Sequence, residues 1–569
     1  MTLRNRIALT LGLPFIAATA WSAPPDAGSL LREELQREHA PLPAMPPKPD
    51  AAEAGKAVAE AGPKVTVSAF RIVGLTAVAD AEAQAFLASY VGQALTLEAL
   101  HRAATKFELW LRSRGLFVAR AYVPPQDIKN GVVEIRVLEG RVEGIDIKRA
   151  PNTRLSEDRL RATLTGALPP GSALEQERLE RGLLLLNDLP AASARAVLAP
   201  GKELGSSRVV AEAAQGPVLA GNVELDNTGN RFTGDWRLGA AVAINDAYGL
   251  GDQWSLRAAA SQGSTFMRAG YSLPIGTDGW KAGVALIESR YKLCCDDSVA
   301  ALDSNGEASA VSGFVAYPLI RTRLANLSVS ANWASRRFVN RSLGATTSDK
   351  KSDTLSLGVS GDISDTSGQG AYSTYAAQWA SGRVDLGAWA ADLTQDAATA
   401  QSQGSFDKWS AQVTHLLRLT STSAIFAGLS AQWASKNLDS SEKFMLGGPQ
   451  GVRAYPTGEA SGDAGWLLNL EWRQELDRDW RVSLFVDHGE VKLHSKPWTG
   501  WNAAMPGLGN SYALSGVGAS VAWTPTGGSQ VSATLASRLG NNPARDATGR
   551  DSDNRSAAPR LWLQGSMAF

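Results

Sequence analysis

From about residue 216 onward apolar and polar positions alternate. Trp236, Leu238, Ala240, Val242 and Ile244 interleave with Arg237, Gly239, Ala241 and Ala243, and Trp254, Leu256, Ala258 and Ala260 interleave with Ser255, Arg257 and Ser261. A period of two with one apolar face predicts strands, and runs of about nine to eleven residues suit a tilted strand crossing a bilayer. Short connections such as 276–279 alternate with long ones such as 294–308. With roughly 20–25 residues per strand and loop, the segment 216–569 predicts an antiparallel barrel of about 16 strands. In the final stretch Leu561, Leu563, Met567 and Phe569 share a face and the chain ends in an aromatic, as the closing strand of an outer-membrane barrel does.

Upstream the period changes. Alternation over 66–72 predicts a strand ended by Gly74, and helical spacing follows over 80–90 and 97–114. The second helix has Thr96 as its N-cap, Leu97, Leu100, Ala104, Phe107 and Leu111 along one face, and Gly115 as its C-cap. Strands over 117–123 and 132–138 complete a strand, helix, helix, strand, strand order. The same order recurs with a strand over 142–148, helices over 156–164 and 174–187, and strands over 192–198 and 207–213. Two units of about 75 residues with one element order imply a duplicated α+β module. Neither carries a phosphate loop, a metal-ligand cluster or a nucleophile elbow, which favours polypeptide binding over catalysis.

The N-terminal stretch adds three segments. Residues 1–22 have Arg4 and Arg6, an apolar run over 7–18 and small residues after it, the pattern of a secretory signal peptide. Within 23–39, Ser29 is positioned to cap a helix over 30–38, with Leu30, Leu31 and Leu35 on one side and charged residues on the others. Residues 40–64, with Pro41, Pro43, Pro46, Pro47 and Pro49, read as a semi-extended linker. The helix is therefore tethered, as a spacer, an interaction peptide or a plug. Charge balances at 56 basic and 56 acidic side chains, so nothing points to nucleic acid. The two cysteines, Cys294 and Cys295, are adjacent and link no distant parts, whether they form a vicinal disulfide or remain thiols. The five histidines show no metal-ligand spacing, and His488 is turned from Asp487 by alternation. No catalytic residues, metal or cofactor are expected.

The segment 446–463 stands apart. Three Gly and two Pro fall within 446–456, which rules out strand or helix there, yet it carries Val452, Arg453, Ala454 and Tyr455 in a rigid frame. Such a loop suits a cavity better than open water. In the strand near 482–489, Phe485 and Asp487 share the face opposite Val482, Leu484 and Val486, so Asp487 points to the lumen, the lipid face being costly for a carboxylate. The preceding strand turns Leu468, Leu470 and Trp472 outward and Glu471 and Arg473 inward. A folded-in Arg453 would meet acids there.

Several stretches together resemble the two-partner secretion transporters, the TpsB class or ShlB/FhaC/HecB family, over nearly the whole mature chain. They are Pro124-Pro125-Gln126-Asp127 with Gly131 and Leu138-Glu139-Gly140; Leu184-Leu185-Leu186-Asn187-Asp188-Leu189-Pro190 with Pro200-Gly201; Asp226-Asn227; Tyr317-Pro318-Leu319-Ile320-Arg321; the loop; and Phe485-Val486-Asp487-His488-Gly489. Where the family loop reads Val-Arg-Gly-Tyr, Ala454 replaces the Gly. The resemblance implies a mainly β outer-membrane protein. Two periplasmic POTRA modules (65–140 and 141–215) would precede a 16-stranded barrel (216–569) with the loop 446–463 folded inward. It implies export of an unfolded TpsA-type adhesin, haemolysin or toxin captured by the modules, with Arg453 latched to Asp487 beside Phe485, Gly489 and Glu471. Outer-membrane lipids, lipopolysaccharide and, during biogenesis, the barrel-assembly machinery would be further partners. The alternatives are an insertase of the same superfamily, which usually has more POTRA modules, and a passive porin, which lacks them.

Overall fold

The computed structural model describes residues 24–38, 64–365, 367, 370–556 and 559–569. The leader expected over 1–22 and all but Lys64 of the expected linker 40–64 lie outside the described residues.

Sixteen strands, from Leu219–Asp226 to Arg560–Ala568, form one closed antiparallel barrel. The last pairs with the first, from Gln564 opposite Asp226 to Ala568 opposite Asn222. At the very end the Phe569 backbone exchanges hydrogen bonds of 2.9 and 3.0 Å with Gly221, so no edge is left at that corner. Alternation sorts the side chains as expected: Leu238, Leu256, Leu484, Leu561 and Met567 are exposed on the outside, and Phe485, Asp487, Glu471 and Trp562 are buried inside.

Strand length departs from expectation. Asn305–Arg321, Ala325–Ser342 and Ala345–Asp365 run to 17, 18 and 21 residues. Their outward face explains it: exposed Trp333 gives way two positions later to Ser335 and then Arg337, which holds Asp349 on the next strand at 2.9 and 2.7 Å. This charged extension cannot sit in hydrocarbon and stands above it. Because Asn305 already begins a strand, the expected 294–308 connection shortens to 293–304. Cys294 and Cys295 within it are disulfide-bonded to each other.

The two α+β units share one sheet topology. In the first, Ala69–Val73 runs parallel to Val132–Leu138, which pairs antiparallel with Arg120–Tyr122. In the second, Arg141–Arg149 runs parallel to Ser206–Gln215, which pairs antiparallel with Ala192–Pro200. Thr96 and Ser156 cap helices, accepting from the backbone N–H of Ala99 at 3.1 Å and of Arg159 at 3.3 Å. The largest departures from the expected boundaries lie in the first module. The first strand splits into Lys64–Thr66 and Ala69–Val73. The strand expected over 117–123 shrinks to Arg120–Tyr122, because Pro124 and Pro125 end it and the Gln126 amide instead pairs with the N–H and C=O of Glu134, at 2.7 and 2.8 Å.

The second module docks on the barrel through two of the motifs noted above. Asp188 holds Arg321 at 2.6 and 2.8 Å, and Arg181 donates to the Pro318 carbonyl at 3.0 Å. Arg159 donates to the Pro274 and Gly276 carbonyls, both at 3.0 Å.

The N-terminal helix, Ala27–Glu38, lies inside the barrel. Its cap is Asp26 and not Ser29: Asp26 Oδ1 accepts from the Ser29 N–H at 2.8 Å while Ser29 Oγ accepts from the Asp26 N–H at 3.0 Å, a reciprocal capping box. Ala27, Leu30 and Leu31 are buried against Phe232, Ala259, Phe266, Ile287, Tyr291, Ala310 and Phe338 of the wall and its loops. The apolar stripe that leaves this helix marginal in water thus has a lumenal seat.

Candidate functional site

The loop folds inward and its tip crosses the wall strand by strand. Asn469, Asp487, Gly516 and Arg538 are in register on four adjacent strands, all facing the lumen. Successive tip residues address successive members of that row. The Gly451 carbonyl accepts from Asn469 Nδ2 at 3.2 Å, and Arg453 meets Asp487. Ala454 lies on Gly516, and Arg538 stacks over the Tyr455 ring at 4.9 Å.

The centre is the Arg453–Asp487 pair. Asp487 is 0% exposed and its carboxylate is filled. Oδ2 accepts from the Arg453 backbone N–H at 3.0 Å and from Nε at 2.9 Å, and Oδ1 accepts from Nη2 and from Asn469 Nδ2, both at 2.7 Å. Two parallel bonds from one guanidinium make the pair bidentate, so it fixes orientation as well as charge. The guanidinium lies 3.3 Å from the Phe485 ring centroid, a cation–π stack that covers its other face. Glu471 sits 3.8 Å from Nη1 and is shared with Arg473 at 3.2 Å, which leaves two cations beside two carboxylates.

The remaining predicted residues pack around this pair. Val452 and Tyr455 are fully buried with Leu446 and Ala454 in an apolar cluster that includes Leu467, Phe485, Val491, Leu514 and Ala536 of the wall. Gly489 leaves room for Leu446, whose Cδ1 would lie 2.4 Å from a Cβ there. Ala454 is not among the residues of positive φ, so its departure from the family Gly carries no backbone strain. His488 points away from Asp487, as alternation requires, and bonds Ser515 Oγ at 2.7 Å.

Sequence reasoning missed several partners. Trp562 of the closing strand donates its indole N–H to the Arg453 carbonyl at 2.8 Å. Glu459 accepts from Asn542 Nδ2 and from the Ser552 N–H, both at 2.9 Å, so the last outer loop clamps this one. Beneath the helix, Lys350 bridges Asp26 at 3.1 Å and Asp439 at 2.6 Å, and Glu442 holds Arg336 and Lys408, each at 2.6 Å. Their one legible signal was lumen-side charge. The short turn Ser440–Glu442 touches the helix, where a Cβ on Gly28 would lie 2.7 Å from Ser440 Oγ, so loop and helix share a surface.

A closed barrel with apolar outer faces, two α+β modules at one mouth, and a lumen occupied by its own helix and loop is the architecture of a β-barrel outer-membrane transporter. Residues 205–514 match the profile of the haemolysin secretion/activation protein family ShlB/FhaC/HecB, and residues 65–140 match the ShlB-type POTRA domain. The chain belongs to that family. It is a two-partner secretion transporter of the outer membrane, with its POTRA region in the periplasm. It is 27% identical over 466 residues to the heme/hemopexin transporter protein HuxB of Haemophilus influenzae (strain 86-028NP), covering 80% of each chain. It is 25% identical over 453 residues to the outer membrane transporter CdiB of Dickeya dadantii (strain 3937), covering 76% of this chain and 78% of that one. In fold it is similar to CdiB from Escherichia coli, with a TM-score of 0.71 at 22% identity over 95% of this chain and 97% of that one.

Proposed function

We propose that this transporter takes an extended segment of a partner exoprotein onto a free sheet edge of its POTRA region. It then passes the chain outward through the barrel once the helix has left the lumen. The cleaved leader would be 1–22, the plug 23–39 and the tether 40–64. A tether of about 25 residues extends to roughly 80 Å, ample to let the helix leave a hydrocarbon core about 30 Å thick. Outer-membrane lipid and lipopolysaccharide would surround the barrel after the barrel-assembly machinery inserts it. One relative is named a heme/hemopexin transporter protein and another an outer membrane transporter, and this chain's cargo is an exoprotein of the same secretion mode.

The observation that carries the reading is the filled Asp487 carboxylate with Arg453 held on it from three donors. A pair so completely satisfied is a positioning device: it keeps the loop tip on the wall while the lumen is in use. Arg453→Ala should leave a heat-modifiable, protease-resistant barrel in the outer membrane but lose export of a co-expressed TpsA-type exoprotein. Normal export from that variant would overturn the role given to the latch.

A further inference from the structure

The loop tip carries Ala454 where the family motif has Gly, and the wall beneath it is Gly516. An added Cβ on Gly516 would lie 2.8 Å from the Ala454 Cβ, with Val452 Cγ1 at 3.4 Å and the Ala454 backbone N at 3.5 Å next nearest. The first distance is too short for two carbons and the other two are ordinary contacts. The tip has no slack with which to yield. The residue before Ala454 is pinned through its N–H to Asp487 at 3.0 Å and through its C=O to Trp562 at 2.8 Å, and Tyr455 donates its N–H to the Val452 carbonyl at 3.1 Å. Tyr455 and Ala454 are both 0% exposed. Gly516 and Asp487 are register partners, so any lift of Ala454 from its seat pulls directly on the Arg453 bonds next door.

We infer that Gly516 is a positioning residue for the loop, and that positions 454 and 516 have room for one methyl group between them. The methyl on the loop side is what obliges the wall to be glycine. This deepens the reading of the loop as a wall-anchored element and rests on it.

The test follows the loop tip and not export, so that it reads the seat even if the transport role is wrong. Thr457→Cys supplies a reporter thiol beside the outer cavity, whose volume is about 770 Å³; the native cysteines are paired with each other. In purified full-length protein, Gly516→Ala should speed maleimide labelling of this thiol by about tenfold, the scale on which overpacking unseats a buried contact. Ala454→Gly alone should leave the rate near wild type, and the double variant should return to it. The inference is overturned if Gly516→Ala labels like wild type, or if the double variant labels as fast as Gly516→Ala. Should Gly516→Ala fail to form a heat-modifiable barrel, the double variant decides alone: it must fold and label like wild type. If labelling behaves as stated while export is unaffected throughout, the seat stands and the transport role of the latch falls.

Discussion

The barrel holds two foreign elements, and it holds them differently. The loop is joined to the wall at both ends, by strands Ser423–Ala434 and Ala464–Glu475. The cation at its tip, Arg453, is matched donor for acceptor on Asp487, and its apolar residues fill a closed cluster. The helix also buries an apolar stripe, but its polar side is only partly matched, with Glu34 held by Arg37 and Arg237, each at 3.0 Å, and Asp26 by Lys350. Burial pushes Glu33 up to about 7, and Arg32 Nε and Glu34 Oε2 are buried without a hydrogen-bond partner among the described residues. Buried polar groups left unmatched cost free energy that matched ones do not. We read the difference as that between an anchor and a removable plug, in which the loop tip stays and the helix leaves first.

The largest effect should come from breaking the anchor. Arg453→Ala or Asp487→Ala leaves a buried charge without its partner, which costs about 3–5 kcal/mol and should unseat the tip and abolish export, read by secretion and by labelling at position 457. Next is the plug. Lys350→Ala strands Asp26 and Asp439 without their cation, and should raise the frequency of channel openings in planar bilayers by about tenfold or more while the barrel remains heat-modifiable. If that variant stayed as closed as wild type, the helix seat would not depend on its charges.

A smaller effect lies in pH. Burial raises Glu33 from 4.5 to about 7, against the opposing pull of Arg37 and Asn230. The seated helix therefore binds this proton more tightly than the released one. Below about pH 4.5 both forms carry the proton and burial has no charge to penalise; the penalty grows as pH rises to about 7 and is constant beyond. Asp26 stays charged throughout this window, held near 2 by Lys350 and its hydrogen bonds in spite of burial. Openings should be rarer at about pH 5 than at about pH 7.5, and Glu33→Gln should flatten the profile. Smallest is the module dock. The Asp188–Arg321 pair is partly exposed, so either charge reversal alone should loosen the module by only about 1 kcal/mol or less, and the double reversal should restore it, as seen in protease protection of the junction.

Much of this architecture was legible because the bilayer enforces alternation. Leu484 and Val486 against Phe485 and Asp487 could be sorted from sequence, and with them the facing of the latch. The module topology was legible from its repeat, and the ends of its helices from Thr96 and Ser156. The helix cap was misplaced because Asp26 and Ser29 cap one another, and spacing alone does not say which is outside the helix. Lys350, Arg336 and Lys408 were not singled out, since their partners Asp439 and Glu442 lie about 30 to 110 residues away on a turn whose shape no local pattern fixes. Asn469 and Trp562 were hidden for a different reason: their partners are set by strand register and by where the loop tip lands on the wall, and neither is a local property.

The central claim, that the helix moves while the loop tip stays, has a direct measurement. A Cβ on Gly28 lies 3.2 Å from Ser441 Cβ, so Gly28→Cys with Ser441→Cys, in a background where Cys294 and Cys295 are serine, should form a bridge between helix and barrel. Planar-bilayer conductance and export are then compared before and after reduction. The bridged protein should be closed and secrete nothing, and reduction should restore both. Conductance and export at wild-type levels with the bridge intact would show that the helix need not leave, and would contradict the account.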